Sequence, residues 1–333
     1  MLSTQPPITL PAITRPRRRA EILSRQRLLD LLYDLLERKL ILVIAPAGYG
    51  KTSLLIDFAH QKDISACWYT IDQHDQDLRR FVAHFNASIS RLYPEFGALS
   101  NAALEGLNTS EGDIEPIVNT IVNELYEHVD EHFVIVLDDF HVLGGNQAIN
   151  AFIGRFVSRV DENCHLIILT RQKPDIPGLE LLLARAQAGG IGTADLAFTS
   201  SEIQALAQKQ QHYLSNDQAR MLLEQTEGWI TGILLPSSSP GRERSAILPS
   251  RCYAQGAQST KTDLADYWGL LLNEQPQDIQ EFYLYSSPLD EFDASLCETV
   301  LRPTVYTHDV DWNGLLEIVL QRNLFVLPVG EDA

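Results

Sequence analysis

The sequence predicts an α/β protein whose parallel sheet is covered by helices on both faces. The first observation is the unbroken apolar run at 40–44, which ends at a glycine-rich loop. Buried parallel strands have this composition because helices cover both of their faces. The second observation is that similar runs recur at 66–71, 133–137 and 166–169, with helical patterns between them. Strands that alternate with helices are typical of a parallel α/β sheet.

The N-terminal elements follow from the spacing of apolar residues. Leucines at helical spacing predict a helix within 20–38, and a second helix at 53–61 follows the glycine-rich loop. Residues 196–198 are predicted to be the last piece of this domain. Thr199 and Glu202 then form a capping-box pattern, in which each side chain accepts a hydrogen bond from the other residue's backbone N–H.

The C-terminal part has a different pattern. The helical segment that begins at the capping box runs to about residue 235, and residues 236–262 have the composition of a linker or insertion. Further helices are predicted at 264–273, 276–285, 294–301 and 315–322. A strand at 324–329 follows, and the chain stops at Ala333, where a hairpin normally returns. We therefore expect a truncated fragment of a longer protein.

Composition excludes several classes of protein. A hydrophobic content of 45% is sufficient for packed cores, so the chain is neither disordered nor fibrous. The four cysteines lie far apart with no C-x-x-C pair, which predicts reduced thiols and no zinc or redox motif. No run reaches the roughly 18 apolar residues of a membrane helix, and the N-terminus lacks the apolar region of a secretory signal. We expect a cytoplasmic protein that does not contact a membrane.

Charge is distributed unevenly along the chain. Residues 1–60 carry 9 Lys/Arg against 5 Asp/Glu, whereas residues 261–333 carry 3 against 14. Because duplex affinity comes largely from cations that displace counterions, the acidic part is not expected to contact nucleic acid. The basic cluster of Arg15 and 17–19 has two interpretations, a solvated arm or a binding patch, of which the pattern favours the arm.

The glycine-rich loop APAGYGKT at 45–52 matches the phosphate-binding pattern G-x-x-x-x-G-K-[ST], except that Ala45 stands at the first glycine. Its two glycines let successive N–H groups face one anion, and the next helix presents its positive end to that anion. Lys51 can reach the β and γ phosphates of ATP, and the Thr52 hydroxyl can ligate Mg²⁺. The expected phosphate-binding residues are Pro46, Ala47, Gly48, Tyr49, Gly50, Lys51, Thr52 and Ser53. A plain glycine turn is the alternative, which the apolar strand and helix around the loop disfavour.

Two carboxylates, Asp138 and Asp139, follow the buried run at 133–137. Ligands bind at the carboxyl ends of parallel strands, so Asp138 is expected to hold Mg²⁺. Asp139 is expected to polarise the attacking water and, with Lys51, to form the catalytic pair. A carboxylate that caps the next turn is the alternative. Many fast nucleoside triphosphatases have glutamate at the second position, so the shorter aspartate predicts slow hydrolysis, which suits a switch.

Polar residues also follow two other predicted strands. Thr170 and Arg171 can sense the γ-phosphate, with Arg171 neutralising its charge; a surface arginine on a loop is the alternative. Asp72, His74 and Asp75 are expected to form a solvated loop, because no further metal ligand lies at a useful spacing.

These motifs together resemble the STAND class, signal transduction ATPases with numerous domains, and within it the MalT branch of LuxR-type bacterial regulators. The segments that carry the resemblance are APAGYGKT at 45–52, WYTID at 68–72, VLDDFH at 136–141, LTR at 169–171, LAFT at 196–199, EGW at 227–229 and RNLF at 322–325. Collinear matches cover nearly the whole chain outside 237–262.

The resemblance implies four regions. These are a P-loop nucleotide-binding domain at 1–197, a small helical domain at 198–236, a flexible linker or insertion at 237–262 and a truncated winged-helix domain at 263–333. It also implies an ADP-bound closed resting form, which ATP and an inducer convert to an open, self-associating form.

The resemblance adds three residues to the nucleotide site. The backbone around Ile22, Leu23 and Arg25 matches the segment that recognises adenine, and residues 228–229 match the helical-domain motif near the nucleotide. Ile230 departs from the pattern, because many relatives have proline there.

The implied function is a switch in which ATP binding and slow, Mg²⁺-dependent hydrolysis set the oligomeric state of a transcriptional regulator. A small-molecule or protein inducer would act on a C-terminal sensor, and DNA would be contacted only through a C-terminal domain; neither lies in this sequence. Two alternatives stay open, a turnover ATPase of the remodelling or transport type and a STAND protein with a non-transcriptional effector. DNA binding by the winged helix itself is disfavoured by the acidic charge of 261–333.

Overall fold

The computed structural model describes most of the N-terminal two thirds of the chain and several helices beyond them. The described residues are 6–62, 64–105, 114–234, 272–273, 275–287, 289, 292–301 and 310–322. The predicted linker at 236–262 and strand at 324–329 lie outside them, as does nearly all of the helix predicted at 264–273.

The chain divides into two compact units. The first consists of Met1–Ala45 and Gly50–Leu196, and the second of Pro46–Tyr49 and Ala197–Ala333. Four residues of the glycine-rich loop therefore group with the C-terminal part of the chain, although the strand before them and the helix after them belong to the first unit.

The first unit contains a five-stranded parallel sheet. Its strands are β1 (Leu40–Ile44), β2 (Ser65–Thr70), β3 (Phe133–Asp138), β4 (Cys164–Thr170) and β5 (Ala188–Ile191). They are ordered β2-β3-β4-β1-β5, and every residue of β3 and β4 is buried. Successive side chains of a strand point to opposite faces of the sheet, so a strand that is buried throughout must be covered on both faces. The predicted α/β fold is therefore confirmed.

One helix precedes the first strand of this unit, and the others follow its strands. They are α1 (Gln26–Leu35), α2 (Lys51–Gln61), α3 (Leu78–Ser90), α4 (Ala98–Glu105), α5 (Ile114–His128), α6 (Gln147–Arg159), α7 (Leu179–Ala184) and α8 (Thr193–Leu196). Phe81 and Phe85 of α3 pack against Phe152 and Phe156 of α6 with ring centroids 5.2–6.0 Å apart. This aromatic cluster is part of the core.

Two features of the first unit differ from the sequence prediction. α1 fills only part of the predicted span 20–38, and it begins after Arg25 because that N-cap residue is held in non-helical backbone. β5 was not predicted, since the sequence AGGI has little intrinsic strand preference. A Cβ on Gly190 would lie 2.6 Å from the carbonyl oxygen of Leu42 in β1. β5 can therefore pack against β1 only because Gly190 has no side chain.

The second unit is helical in the residues that the structure describes. Its helices are α9 (Ser200–Lys209), α10 (Asn216–Thr226), α11 (Ile230–Leu234), α12 (Gln277–Ser286), α13 (Ala294–Val300) and α14 (Trp312–Arg322). The predicted capping box is confirmed: Thr199 accepts from the Glu202 N–H at 3.3 Å, and Glu202 accepts from the Thr199 N–H at 2.9 Å. The helical segment predicted up to about residue 235 is divided into three helices, with positive φ angles at Gln211 and Glu227.

The three C-terminal helices share a small core of their own. Phe282 of α12, Cys297 of α13, and Trp312 and Val319 of α14 are buried together. Cys67, Cys164 and Cys297 are free thiols, and Cys252 lies outside the described residues. Within the part of the chain that the structure describes, no helix is long and apolar enough to span a bilayer.

The loop after β2 is more ordered than predicted. Asp72 and Asp75 form a capping box around a short 3₁₀ helix, Gln73–Gln76. Asp75 is only 1% exposed and accepts a hydrogen bond from Arg80 Nε at 2.8 Å. The expectation of a solvated loop is therefore wrong for Asp75, whose carboxylate is stabilised inside the protein by an ion pair.

Candidate functional site

The glycine-rich loop has the curled backbone that its two glycines predict. Gly48 has φ +79° and Gly50 has φ +80°, a region that residues with a side chain rarely adopt. Gly50 is the N-cap of α2 and has no side chain with which to cap it. Because the first N–H groups of a helix have no partner within it, the N-terminus of α2 has the geometry of an anion site.

Lys51 is the first residue of α2, and its side chain turns back towards Ala45 at the end of β1. Nζ donates a hydrogen bond to the carbonyl oxygen of Ala45 at 2.7 Å. Burial and the nearby charge of Arg171 lower the pKa of Lys51 to about 8, although Asp139 and Asp138 act in the opposite direction. An anion beside Lys51 would offset the cost of burying its charge, so this cation fits a phosphate group.

The two predicted magnesium ligands lie next to each other. Thr52 Oγ1 donates to Asp138 Oδ1 at 3.1 Å. Asp138 is the last residue of β3 and is 3% exposed; burial and the charge of Asp139 raise its pKa to about 7. A buried carboxylate beside a hydroxyl offers the hard oxygen ligands that Mg²⁺ prefers. These residues therefore fit the predicted ion.

Asp139 is strained and its carboxylate is accessible. Its φ of 58° lies in the left-handed region, which costs a residue with a side chain about 1–2 kcal/mol. Its N–H donates to Asp138 Oδ1 at 3.1 Å, and its side chain is 49% exposed. It precedes the 3₁₀ helix Phe140–Leu143 but makes no capping hydrogen bond with its side chain. The alternative of a carboxylate that caps this turn is therefore wrong.

Thr170 is the last residue of β4, which lies between β1 and β3, and Arg171 follows it. The Thr170 hydroxyl donates to the carbonyl oxygen of Gln172 at 2.9 Å, so it shapes the local turn. Arg171 is half-buried, and its positive charge lowers the pKa of Lys51 and of His141. It therefore lies beside the predicted site, which supports the γ-phosphate interpretation over a surface arginine.

The predicted adenine segment leads into α1. Ile22 and Leu23 are half-buried there. Arg25 is buried, and its Nη1 donates to the carbonyl oxygen of Leu196 at 2.8 Å. That contact anchors the segment to the end of the first unit.

The basic N-terminal arm is held against α2. Arg18 Nε donates to Asp57 Oδ1 at 2.6 Å, and Ser24 Oγ donates to the same oxygen at 3.3 Å. Since Asp57 is 1% exposed, the expectation of a solvated arm is wrong for Arg18. The ion pair ties residues 18–24 to the helix that follows the phosphate loop.

Comparisons with known proteins match this chain to bacterial MalT regulators. Residues 269–333 match the MalT winged helix domain family. The HTH-type transcriptional regulator MalT of Vibrio parahaemolyticus serotype O3:K6 is 28% identical over 323 residues, or 95% of this chain. MalT of Yersinia pseudotuberculosis serotype O:1b is 26% identical over 96% of the chain.

The chain is similar to MalT regulators along nearly its whole length. The resemblance predicted from the motifs is therefore confirmed, and it supports a nucleotide-binding regulatory module over a turnover ATPase. The chain spans about a third of the length of these relatives, 34% in each case. A Walker-type ATPase of Pyrococcus abyssi superposes with a TM-score of 0.55 over 93% of this chain and 92% of its own, at 15% identity, which shows a shared fold.

The EGW segment of the MalT resemblance contacts the phosphate loop within the second unit. Trp229 Nε1 donates to the carbonyl oxygen of Ala47 at 2.9 Å, and Thr231 Oγ1 donates to that of Gly48 at 3.1 Å. A loop whose N–H groups converge on an anion turns its carbonyls outward, where these donors bind them. The sequence pointed to residues 228–229 but gave no signal for Thr231, whose partner is 183 residues away.

We expect Asp138→Asn to stabilise the nucleotide-free protein at high pH. Because the folded-state pKa of Asp138 is raised from 3.8 to about 7, the folded protein holds this proton more tightly than the unfolded chain does. Wild-type stability therefore falls as pH rises from about 4 to about 7, by up to about 4 kcal/mol at ~1.4 kcal/mol per pKa unit. The asparagine variant, which stays neutral, lacks this loss.

The measurement is urea unfolding in EDTA at pH 5, 6, 7 and 8. The difference in unfolding free energy between Asp138→Asn and wild type should grow as pH rises. The same difference should stay constant for Asp34→Asn, which replaces an exposed carboxylate on α1. If the unfolding free energies of Asp138→Asn and wild type changed equally with pH, ionisation of Asp138 would cost the folded protein little free energy.

Proposed function

We propose that this chain is the ATP- and ADP-binding switch module of a MalT-type transcriptional regulator. In this proposal, ATP binding and slow hydrolysis control opening and self-association. The observation that carries it is the arrangement in the first unit, in which Lys51 and Thr52 begin an uncapped helix beside buried Asp138. A cation, a hydroxyl and a carboxylate at a helix N-terminus match the requirements of a magnesium–nucleotide complex.

Each residue has a defined part in this site. Lys51 neutralises β and γ phosphate charge, and the N–H groups at the start of α2 donate to the same anion. Thr52 and Asp138 would hold Mg²⁺, which when bound supplies further charge neutralisation. Asp139, whose carboxylate is accessible and makes no capping hydrogen bond, orients the attacking water. Its short side chain supports slow hydrolysis, as a switch requires.

The remaining parts of the proposal concern the longer protein. We infer the nucleotide domain at 1–197, the helical domain at 198–236, the linker at 237–262 and the winged-helix domain at 263–333. Ile22 and Leu23 offer backbone groups to adenine. An inducer and DNA would bind regions outside this chain, since the acidic charge of 261–333 repels nucleic acid. The cytoplasm is the proposed location.

The proposal is tested by the nucleotide itself. Purified protein is denatured and the released small molecules are separated by ion-exchange chromatography; ADP or ATP is expected. Titration with ATP, ADP and GTP, with Mg²⁺ or EDTA, should show tighter binding of adenine nucleotides and a gain for ATP from Mg²⁺. Absence of both retained and titratable nucleotide at millimolar concentration would contradict the proposal. A steady-state rate near the ~10 s⁻¹ that is typical of enzymes would instead favour a turnover ATPase.

A further inference from the structure

His141 lies beside the predicted catalytic carboxylate and has no role in the function described so far. It is the second residue of the 3₁₀ helix Phe140–Leu143, and its side chain is 15% exposed. Nδ1 is fully buried and has no hydrogen-bond partner among the residues that the structure describes. An unpartnered buried polar atom destabilises the folded protein. Such a cost at the edge of a ligand site suggests that a ligand or water completes the contact.

The imidazole is neutral at physiological pH. Burial, together with the charges of Arg171 and Lys51, lowers the pKa of His141 to about 3. In a neutral imidazole, one nitrogen carries the hydrogen and the other accepts a hydrogen bond. With the hydrogen on Nε2, Nδ1 is an acceptor.

Nδ1 lies 4.0 Å from Asp139 Oδ1. This separation is too long for a hydrogen bond and, with both atoms acting as acceptors, there is no hydrogen to share. A single water molecule that donates one hydrogen to each of them satisfies both acceptors, and it reaches Nδ1 when the residues that cover this atom move aside. Its oxygen lone pairs then face away from Asp139 and His141.

We propose that His141 and Asp139 together orient the water that attacks the γ-phosphate. This inference rests on the proposed nucleotide-binding function. As the water oxygen bonds to the γ-phosphorus, the bond from that phosphorus to the β,γ-bridging oxygen breaks, and its electron pair remains on the diphosphate beside Lys51. Asp139 accepts one proton from the water, and the second hydrogen stays on the new phosphate. Asp139 then releases its proton to solvent, so that nucleoside triphosphate and water give diphosphate, hydrogen phosphate and a proton.

The test uses two substitutions that separate ring volume from the acceptor. His141→Phe keeps the ring but removes Nδ1, whereas His141→Asn places an amide oxygen near the position of Nδ1. Single-turnover hydrolysis of ATP should be at least about ten-fold slower in the phenylalanine variant and within about three-fold of wild type in the asparagine variant. Affinities for ADP and a non-hydrolysable ATP analogue should be unchanged in both. His128→Phe, an exposed histidine on α5, controls for the substitution itself.

Several results would overturn the inference. These are wild-type hydrolysis by His141→Phe, equally slow hydrolysis by both variants, loss of ADP binding in parallel with hydrolysis, and a wild-type protein that binds ATP without cleaving it. In all of these cases the proposed nucleotide binding stands. Failure of the wild-type protein to bind any nucleoside triphosphate would instead remove the proposed function, and the inference with it.

Discussion

Lys51→Ala is expected to lower the affinity for ATP and ADP at least about 100-fold and to yield purified protein without bound nucleotide. Hydrogen bonds to charged groups contribute about 1.5–3 kcal/mol each, and 100-fold corresponds to about 2.7 kcal/mol. Lys51 is buried at the start of α2, and its Nζ donates to the carbonyl oxygen of Ala45. Its loss removes both the charge and the donor from the phosphate position. Calorimetric titration and analysis of released nucleotide measure the effect.

The chain offers a matched control for this substitution. Lys39 precedes the same strand, β1, at its opposite end, and its Nζ also donates to a backbone carbonyl, that of Val160 at 2.6 Å. Lys39→Ala should retain nucleotide with wild-type affinity, although it loses a comparable hydrogen bond. Equal nucleotide retention by Lys51→Ala and wild type would sink the assignment of this loop. Thermal unfolding of both variants separates lost binding from lost folding.

Gly48→Ala is expected to destabilise the protein and to weaken nucleotide binding by at least about ten-fold. Its φ of +79° disfavours any residue with a Cβ, at a cost of about 1–2 kcal/mol. The added Cβ would also lie 2.6 Å from Trp229 Nε1 and closer still to Thr231 Oγ1. The loop must move away from both donors, which breaks the contacts that hold its carbonyls outward. Urea unfolding and ADP titration measure the two effects.

Gly145→Ala isolates the contribution of these contacts. Gly145 has the same φ of +79°, but an added Cβ there meets nothing within 4 Å. It should therefore show the backbone cost alone, and Gly48→Ala should exceed it by about 1–3 kcal/mol, the usual cost of overpacking. Equal losses in the two variants would mean that Trp229 and Thr231 do not constrain the loop. Thr231→Ala in the Gly48→Ala background should recover part of the excess.

Local patterns were sufficient for the parts of the site that one segment builds. The apolar run at 40–44 predicted β1, and the glycines after it predicted the curl and the helix that begins at Lys51. The run at 133–137 likewise placed Asp138 at the carboxyl end of a strand. Such predictions succeed because strand, turn and helix preferences act over a few residues.

Other parts depend on contacts between distant segments. β5 has a sequence with little strand preference and exists because Gly189 and Gly190 let its backbone lie against neighbouring elements. Asp75 and Arg18 were expected in solvent, yet Arg80 pairs with the first and buried Asp57 with the second. No local pattern shows such pairing, since the energy of a buried charge depends on what packs around it.

The sequence by itself therefore determined that this chain contains a phosphate loop, a parallel sheet and a carboxylate pair at its edge. Tertiary structure decided how these residues are supported: Trp229 and Thr231 bind the loop carbonyls, and His141 lies 4.0 Å from Asp139 with its Nδ1 unpartnered. The physical reason is the distance along the chain over which each kind of interaction acts. Backbone preferences are encoded by neighbours in the chain, whereas hydrogen-bond partners and the polarity around a buried group are set by whichever segments the fold brings together.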